Sequence, residues 1–511
     1  MVFLEVPYKN MKHLSKLCLF SVLVTIYPFA NTYSQQDGIV LPQSDIHYRE
    51  VKSYVEEVPD DGYIHASEKA HKAFRDIKFS IRIHWGVYSM WNMEASWNLL
   101  TLPYDKRMEY NDLYKTFNPT EFDAQEWMDF FKRSGIQAFA FTAKHHDGFS
   151  MFHTKTRVKQ RMNYLDLEHV IEPCDLAYSI EETPFKRDIV KELCDAAHKN
   201  GIKIDLYFSH PDWYDADFRP YNYHPLSTPD MAEHPNDYYN AHGGNNRKTI
   251  LTPDRTPEET ARLIARHREQ LHELLTNYGK IDMICFDQWM GRDIWTELKK
   301  TVKLARQWQP DVMLRARGIG NYGDYYQPEQ FVPGGKENTN MPWMSIALLG
   351  KQFSFDPNGD NYKGAPWIIH NLIDCVAKGG SFMVCVGPDQ TGKFHPTAMQ
   401  QIEETGKWLK INGEGIYETR AREVWKENDI YFTRTKDHRK VFAFTEKWPG
   451  TEILIPSVNP KKGSQIYLFG YKKPLKWSQT SEGVKVIIPE ELQVPENRPC
   501  EHAWGFKIII K

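Results

Sequence analysis

At 511 residues the chain is too long for one ordinary core, although a (β/α) barrel of about 250 residues can stand as one domain, so two domains are expected. Hydrophobic residues at 41% and aromatics at 14% exclude global disorder, and a formal net charge of -3 lacks the basic surplus that a nucleic-acid partner requires. Sugars and other neutral ligands stay open.

The N-terminus carries Lys9, Lys12 and Lys16 ahead of the apolar run "LCLFSVLVTIYPFA", which gives way to small and polar residues around 30–34. This layout predicts a signal peptide over residues 1–34, initiating at Met11, and a secreted or periplasmic mature protein. The run is short for a spanning helix, so no stable membrane insertion is expected. Cys18 lies at the start of the apolar run, not at its end, which argues against lipidation. The other six cysteines are scattered without CxxC spacing and predict neither a zinc site nor a disulfide framework; Cys375 and Cys385 read as core thiols.

From residue 79 onward, short β-rich runs alternate with helical patterns. The expected strands are "FSIRIHWG" (79–86), "AFAFTAKHH" (138–146), "KIDLYFS" (203–209), "MICFD" (283–287), "VMLRARG" (312–318) and "SFMVCVGP" (381–388). Between them lie helical stretches at 122–135 and 256–279. The second opens with Thr256 as N-cap, Pro257 in the first turn and Glu258 and Glu259 at the positive dipole end. This α/β alternation predicts a (β/α) TIM-like barrel over 35–420, including an N-terminal lead-in. After about 420, six runs of β-branched and aromatic residues without helices between them predict a C-terminal antiparallel β-sandwich over 421–511. The string "GIGNYG" (318–323) has dinucleotide-motif spacing, but the following "DYYQPEQFVPGG" cannot supply the helix that pyrophosphate binding needs, so it reads as a loop.

Barrel chemistry sits at the C-terminal strand ends. That rule selects His84, His145, His146, Tyr207, Asp287 and Arg317 as a common mouth. Adjacent histidines without HExxH or closely spaced carboxylates make a poor metal site, so no metal and no cofactor are expected. Sugar recognition fits better, with imidazole and phenol for hydroxyls and the rings of Trp85, Trp97 and Trp213 for stacking. Glycoside cleavage with retention needs two carboxyl groups about 5–5.5 Å apart. Asp287, ending an apolar strand, is the candidate nucleophile, and Glu329 in "DYYQPEQ" is the first choice for acid/base, ahead of Glu337.

Over about residues 79–420 these strings resemble the α-L-fucosidases of glycoside hydrolase family 29. The resemblance is carried by "IHWGVYS", "AFAFTAKHHDGFSMF", "YFSHPDW", "MICFD", "RARGIGNYGDYYQPEQ" and "GKWLKINGEGIYETR". It implies a retaining exo-hydrolase with a barrel and a β-sandwich, Asp287 as nucleophile, Glu329 as acid/base and Arg317 as a ligand-binding arginine. It also implies His84, His145, His146 and Tyr207 in the sugar pocket, Trp97 as the tryptophan of a glutamate-tryptophan-tyrosine motif, and Phe355 as a preserved aromatic. Four departures stand out: Arg82 and Cys285 replace aromatics of the wall against the C5 methyl of fucose, and Ser96 and Met344 replace glutamates. A guanidinium beside a methyl group is poorly compensated, whereas beside a hydroxyl or sulfate it makes charge-assisted bonds. The expected substrate is therefore a glycan ending in α-L-galactose, including its 6-sulfate, or in α-L-fucose. An ordinary α-L-fucosidase on host or plant glycans and an inactive carbohydrate-binding homologue are the alternatives. Homo-oligomer contacts and leaving-group subsites are left open for the polar insertion around 221–249.

Overall fold

The computed structural model describes residues 46–166, 168–219, 224–225, 253–333 and 340–510. The expected signal peptide, Glu337 and the 221–249 insertion, apart from 224–225, lie outside them. Among the described residues, no helix is long and apolar enough to cross a membrane.

Two helices, α1 (Ile46–Lys52) and α2 (Glu68–Asp76), lead into β1 (Phe79–Ile83). The chain continues through α3 (Tyr104–Asn111), α4 (Ala124–Arg133), β2 (Ala138–Lys144), a hairpin of β3 (Val158–Met162) and β4 (Ile171–Leu176), α5 (Ile189–Asn200) and β5 (Lys203–Ser209). Next come α6 (Pro257–Thr276), β6 (Met283–Asp287), α7 (Arg292–Trp308), β7 (Met313–Leu314), β8 (Met344–Leu348), α8 (Ala365–Ala377), β9 (Ser381–Val386) and α9 (Pro396–Asn412). Helix α6 has the expected capping box: the Thr256 hydroxyl accepts from Glu259 N at 3.2 Å while Glu259 accepts from Thr256 N at 2.8 Å.

The parallel sheet runs β7-β6-β5-β2-β1-β9-β8. Its two edges are joined by an extended segment, 325–329, bridged to Arg315 on one side and to Trp343 and Ile346 on the other. This segment is the eighth stave, and it closes a TIM-like barrel. Neither it nor β8 was among the expected strands, because "YYQPEQ" has a proline and no alternating apolar residues.

Strict alternation along the staves decides what faces inward. In β2, Phe139 and Phe141 join the cluster beneath the helices, while Ala138 and Ala140 face the barrel interior with Met283, Met313, Met344 and Met383. The same period turns Ile81 and Ile83 outward and leaves Arg82 and His84 inward. In β5 it turns Leu206 and Phe208 outward and leaves Asp205 and Tyr207 inward. Phe74 and Ile77, at the end of α2, plug the bottom.

The C-terminal domain pairs a five-stranded sheet, β10 (Arg420–Glu427), β11 (Ile430–Arg434), β12 (Lys440–Thr445), β17 (Trp504–Ile509) and β14 (Ile466–Leu468), with a three-stranded one. The latter comprises β13 (Glu452–Ile455), β16 (Val484–Ile487) and β15 (Lys476–Gln479). Val441 and Ala443 face the sandwich core, whereas Phe442 and Phe444 face the barrel, where Phe444 meets Trp408 of α9 at 6.1 Å. "GIGNYG" is a loop: Gly318 has φ +80, and a Cβ there would lie 2.4 Å from Gln288 O.

Candidate active site

A pocket of about 510 Å³ opens at the C-terminal rim of the barrel, a size suited to a monosaccharide and part of its leaving group. His84, Trp97, His145, Tyr207, Asp287, Arg317 and Glu329 all line it.

Asp287 ends β6. Its Oδ2 accepts from the Tyr207 hydroxyl at 2.6 Å and its Oδ1 from Arg317 Nη1 at 2.7 Å, with His146 Nε2 at 3.4 Å and Arg315 Nη1 at 3.7 Å. Glu329 ends the eighth stave, and its Oε1 meets Arg315 Nη2 at 2.7 Å and Arg317 Nη1 at 2.8 Å. Since Asp287 Oδ1 and Glu329 Oε1 touch the same nitrogen at 2.7 and 2.8 Å, they can stand no farther apart than the two contacts added together. This limit keeps the two carboxylates within the reach of a retaining pair, about 5–5.5 Å, and short of the wider separation of an inverting one. Burial opposes charge on both groups, but Arg317, followed by His146 and Arg315, holds Asp287 well below the usual carboxylate range. Arg317 and Arg315 likewise lower Glu329 against the repulsion of Asp287. The chain turns sharply after each carboxylate, with Gln288 at φ 63 and Gln330 at φ 66. Left-handed backbone at non-glycine residues is strained and concentrates at functional sites.

The histidines come from the string "KHHDG", whose other members anchor it. Lys144 is buried, 3.8 Å from Asp212 Oδ2 and bonded to Gln270 at 3.2 Å, and Asp147 accepts from the Tyr110 hydroxyl at 2.5 Å. Gly148 has φ +80, and a Cβ there would fall 2.1 Å from Asp212 Oδ1, so only glycine fits the turn. His145 Nδ1 pairs with Ser96 Oγ at 2.5 Å, and its ring stacks on Tyr207 at 5.3 Å. Burial, then Arg82 beside His84 and the neighbouring imidazoles beside His145, hold both well below the ordinary imidazole range, so both face the pocket as neutral donors and acceptors for hydroxyls.

Several sequence-derived placements need correction. Trp85 packs among Trp127, Phe122 and Phe117 in the core, because it follows His84 and so faces the helices. Trp213 lies behind the wall, 5.0 Å from His146 and 5.6 Å from Trp97. Phe355 leans on His395 outside the pocket, and the aromatic that this loop contributes to the lining is Phe353, 4.9 Å from His84. Cys285 does not line the pocket either; it lies beneath it, against Arg82 and Arg315. Met344 is buried in the barrel interior. Missed by the sequence reading were Glu94, Asn98, Thr101 and Gln288 in the lining and, deeper, Arg315 and Gln327. Arg315 was legible, since it precedes Arg317 by two on the expected strand 312–318 and must share its face; Gln327 was not, since its stave carries no strand pattern.

Arg82 is a pocket residue, only 1% exposed. Its Nη1 donates to Gln327 Oε1 at 2.7 Å and its Nη2 to Cys285 Sγ at 3.1 Å, and the guanidinium lies 4.8 Å from the Tyr207 ring centre. These partners are neutral, and Nε has none.

The α-L-fucosidase family model matches residues 56–414, and the α-L-fucosidase C-terminal domain matches 425–509. The chain belongs to the α-L-fucosidase family. It is 24% identical over 461 residues to the plasma α-L-fucosidase of Homo sapiens, covering 85% of this chain and 89% of that one. It is 26% identical over 471 residues to the tissue α-L-fucosidase of Rattus norvegicus, covering 85% and 89%. Among solved structures, α-L-fucosidase isoenzyme 1 from Paenibacillus thiaminolyticus superimposes with a TM-score of 0.70 at 22% identity, covering 87% of this chain and 99% of that one. A family 29 α-L-fucosidase from Bacteroides thetaiotaomicron, solved as a trapped covalent intermediate, gives a TM-score of 0.66 at 20% identity, covering 89% and 98%. Family 29 fucosidases are glycoside hydrolases, and this member carries a carboxylate pair at the mouth of the same barrel architecture.

Proposed function

We propose that this fucosidase-family protein is a retaining exo-α-L-glycosidase whose terminal sugar carries a polar group at C6: α-L-galactose, including its 6-sulfate. Asp287 attacks C1 while Glu329 protonates the leaving oxygen, giving a covalent glycosyl-enzyme. Glu329 then takes a proton from water, which releases the sugar with retention. The donors around Asp287 support the first role, because they keep the attacking oxygen ionised. In the open pocket Glu329 is held ionised as well, the form required for the second step. A bound sugar strips water from its side chain, 30% exposed when empty, and so favours the protonated form needed for the first. His84, His145 and Trp97 bind the ring hydroxyls, while His146, fully buried and not part of the lining as the sequence had suggested, supports Asp287 at 3.4 Å.

The observation that carries the substrate reading is Arg82, a buried guanidinium that bonds only neutral groups where the family places an aromatic wall against a methyl group. The second reading is an ordinary α-L-fucosidase, favoured by the names of the relatives and by Phe353, which keeps one aromatic on that wall. Initial rates on aryl α-L-fucoside and on aryl α-L-galactoside, with and without 6-sulfate, separate the two. Preference for the galactosides is expected, and preference for fucoside overturns the polar-C6 reading. Binding without turnover on all three would make the protein a carbohydrate-binding homologue. Export belongs to the same proposal, supported by the lysine-flanked apolar run of the N-terminus and tested by sequencing the N-terminus of the mature protein.

A further inference from the structure

The floor of the pocket holds a charge that the catalytic cycle does not use. Asp205 is fully buried in β5, in register with Ala140 of β2 and Met283 of β6. Arg82 of β1 is in register with the same Ala140. Because Ala140 is small, the Arg82 side chain crosses over it to reach the Tyr207 ring and Cys285 Sγ, and Cys285 is itself in register with Tyr207. Tyr207 stands two residues above Asp205 on the same face of β5. The Arg82 guanidinium therefore lies over Asp205, one level higher in the barrel.

Among the described residues no other acid shares the level of Asp205 in the barrel. Facing it are Arg82 from β1, Ala140 from β2, Tyr207 from its own strand, Cys285 from β6, Arg315 after β7, and Tyr325 and Gln327 from the eighth stave. Strands β8 and β9 contribute Met344, Ile346, Met383 and Cys385 to the interior. Neither Asp205 oxygen has a close hydrogen-bond partner, although Tyr325 and the Cys285 N–H are near enough to favour its charged form, and Arg82 Nε and Arg315 Nε have none. Burial pushes the carboxyl up to about 7, with Arg82 and Arg315 pulling the other way. With Asp205 neutral, Asp287 and Glu329 pair with Arg315 and Arg317, and among the described residues no ionised carboxylate is in contact with Arg82.

Resting on the polar-C6 reading above, we propose that Asp205 is a specificity-determining residue that acts through Arg82. As a neutral acid it leaves the guanidinium free to receive an anionic substituent such as sulfate; as a carboxylate it cancels that charge, and the floor then favours an uncharged hydroxyl. Asp205 touches neither the sugar nor the reacting atoms; it sets the charge that the sugar meets.

The experiment is the ratio of kcat/KM for aryl α-L-galactoside 6-sulfate to that for the unsulfated galactoside, measured between about pH 5.5 and 8.5 on the full-length mature enzyme. Sulfate is ionised across this range, and Asp287, Glu329 and the pocket carboxyl of Glu94, which burial raises, titrate alike in the wild type and in Asp205→Asn, so the part of the pH dependence that this variant loses isolates the floor. The wild-type ratio should fall about tenfold as pH rises through 7, the order expected of one unit charge acting over a side-chain length inside a protein. In Asp205→Asn the ratio should stay high and lose its pH dependence. A flat wild-type ratio overturns the inference without any variant being needed, and so does an Asp205→Asn profile that falls as the wild type does. Failure to turn over either galactoside at any pH refutes the polar-C6 reading and this inference with it. Galactoside turnover with a flat ratio refutes only the part assigned to Asp205.

Discussion

Arg317 offers the sharpest test of how the two carboxylates are kept in working form. Its Nη1 touches Asp287 at 2.7 Å and Glu329 at 2.8 Å, so Arg317→Gln removes one cation from two acids at once. An opposite charge in contact lowers a carboxyl by about 1–3 units, equivalent to about 1.4–4 kcal/mol. Arg315 stays behind, 2.7 Å from Glu329 and 3.7 Å from Asp287, so the lower part of that range applies and both groups should rise. Both groups are depressed in the native enzyme. The acid limb, set by ionisation of Asp287, and the basic limb, set by loss of the Glu329 proton, should therefore move to higher pH together. The assay is kcat against pH on the better aryl glycoside, because kcat reports the groups in the complex with sugar, where Glu329 gains its proton, and activity at low pH should fall most. A profile that drops in height while both limbs stay in place would mean that Arg317 only shapes the pocket, and the electrostatic argument would be wrong.

Asp287→Asn should cut turnover by more than about 10³-fold and abolish labelling by a 2-fluoro glycosyl fluoride; mass spectrometry that finds the wild-type adduct on any other residue refutes the nucleophile assignment. Glu329→Ala should lose about 10²–10⁴-fold on poor leaving groups, keep activity on activated aryl glycosides and respond to azide. Wild-type kinetics in that variant would remove Glu329 from the cycle. Gly148→Ala forces a Cβ against the Asp212 carboxylate in left-handed backbone, and should cost about 2–4 kcal/mol in stability along with most of the activity. An unchanged melting curve would show that the turn relaxes freely.

The sequence made the barrel legible wherever a stave carries apolar residues on its outer face. "AFAFTAK" announces a strand because Phe139 and Phe141 must cover the helices while Ala138 and Ala140 fill the narrow interior. The eighth stave was hidden because Tyr325, Gln327 and Glu329 face inward and its outward positions include Pro328, which gives no alternating pattern. The catalytic rim was legible through position: a titratable residue ending an apolar strand has few other reasons to be there. Phe353 was not, since it sits on a loop whose path no periodicity fixes, and a choice between it and Phe355 needs coordinates. Arg315 looked like one basic residue of "RAR", and only the two-residue period assigns it to the floor.

That period also explains how substrate choice could change while the chemistry is kept. On four staves a floor residue precedes a rim residue by two: Arg82 and His84, Cys285 and Asp287, Arg315 and Arg317, Gln327 and Glu329. Two extended residues rise by about 6.6 Å, roughly the depth of a sugar ring with its exocyclic carbon, so the two levels can be altered independently. Within the floor, however, residues touch. Arg82 Nη2 lies 3.1 Å from Cys285 Sγ, which leaves no room for a tryptophan at 285 while the arginine is present. Arg82→Phe alone would leave Cys285 and Gln327 facing a gap, and Cys285→Trp alone would collide with the guanidinium. The double variant restores the aromatic wall that suits a methyl group. Its kcat/KM on aryl α-L-fucoside should therefore exceed the product of the two single effects by at least about tenfold, a coupling of about 1.4 kcal/mol, which contacting residues commonly show. Strictly additive effects would mean that the two positions do not form one wall, and the case for Arg82 as the reader of C6 would fall with them.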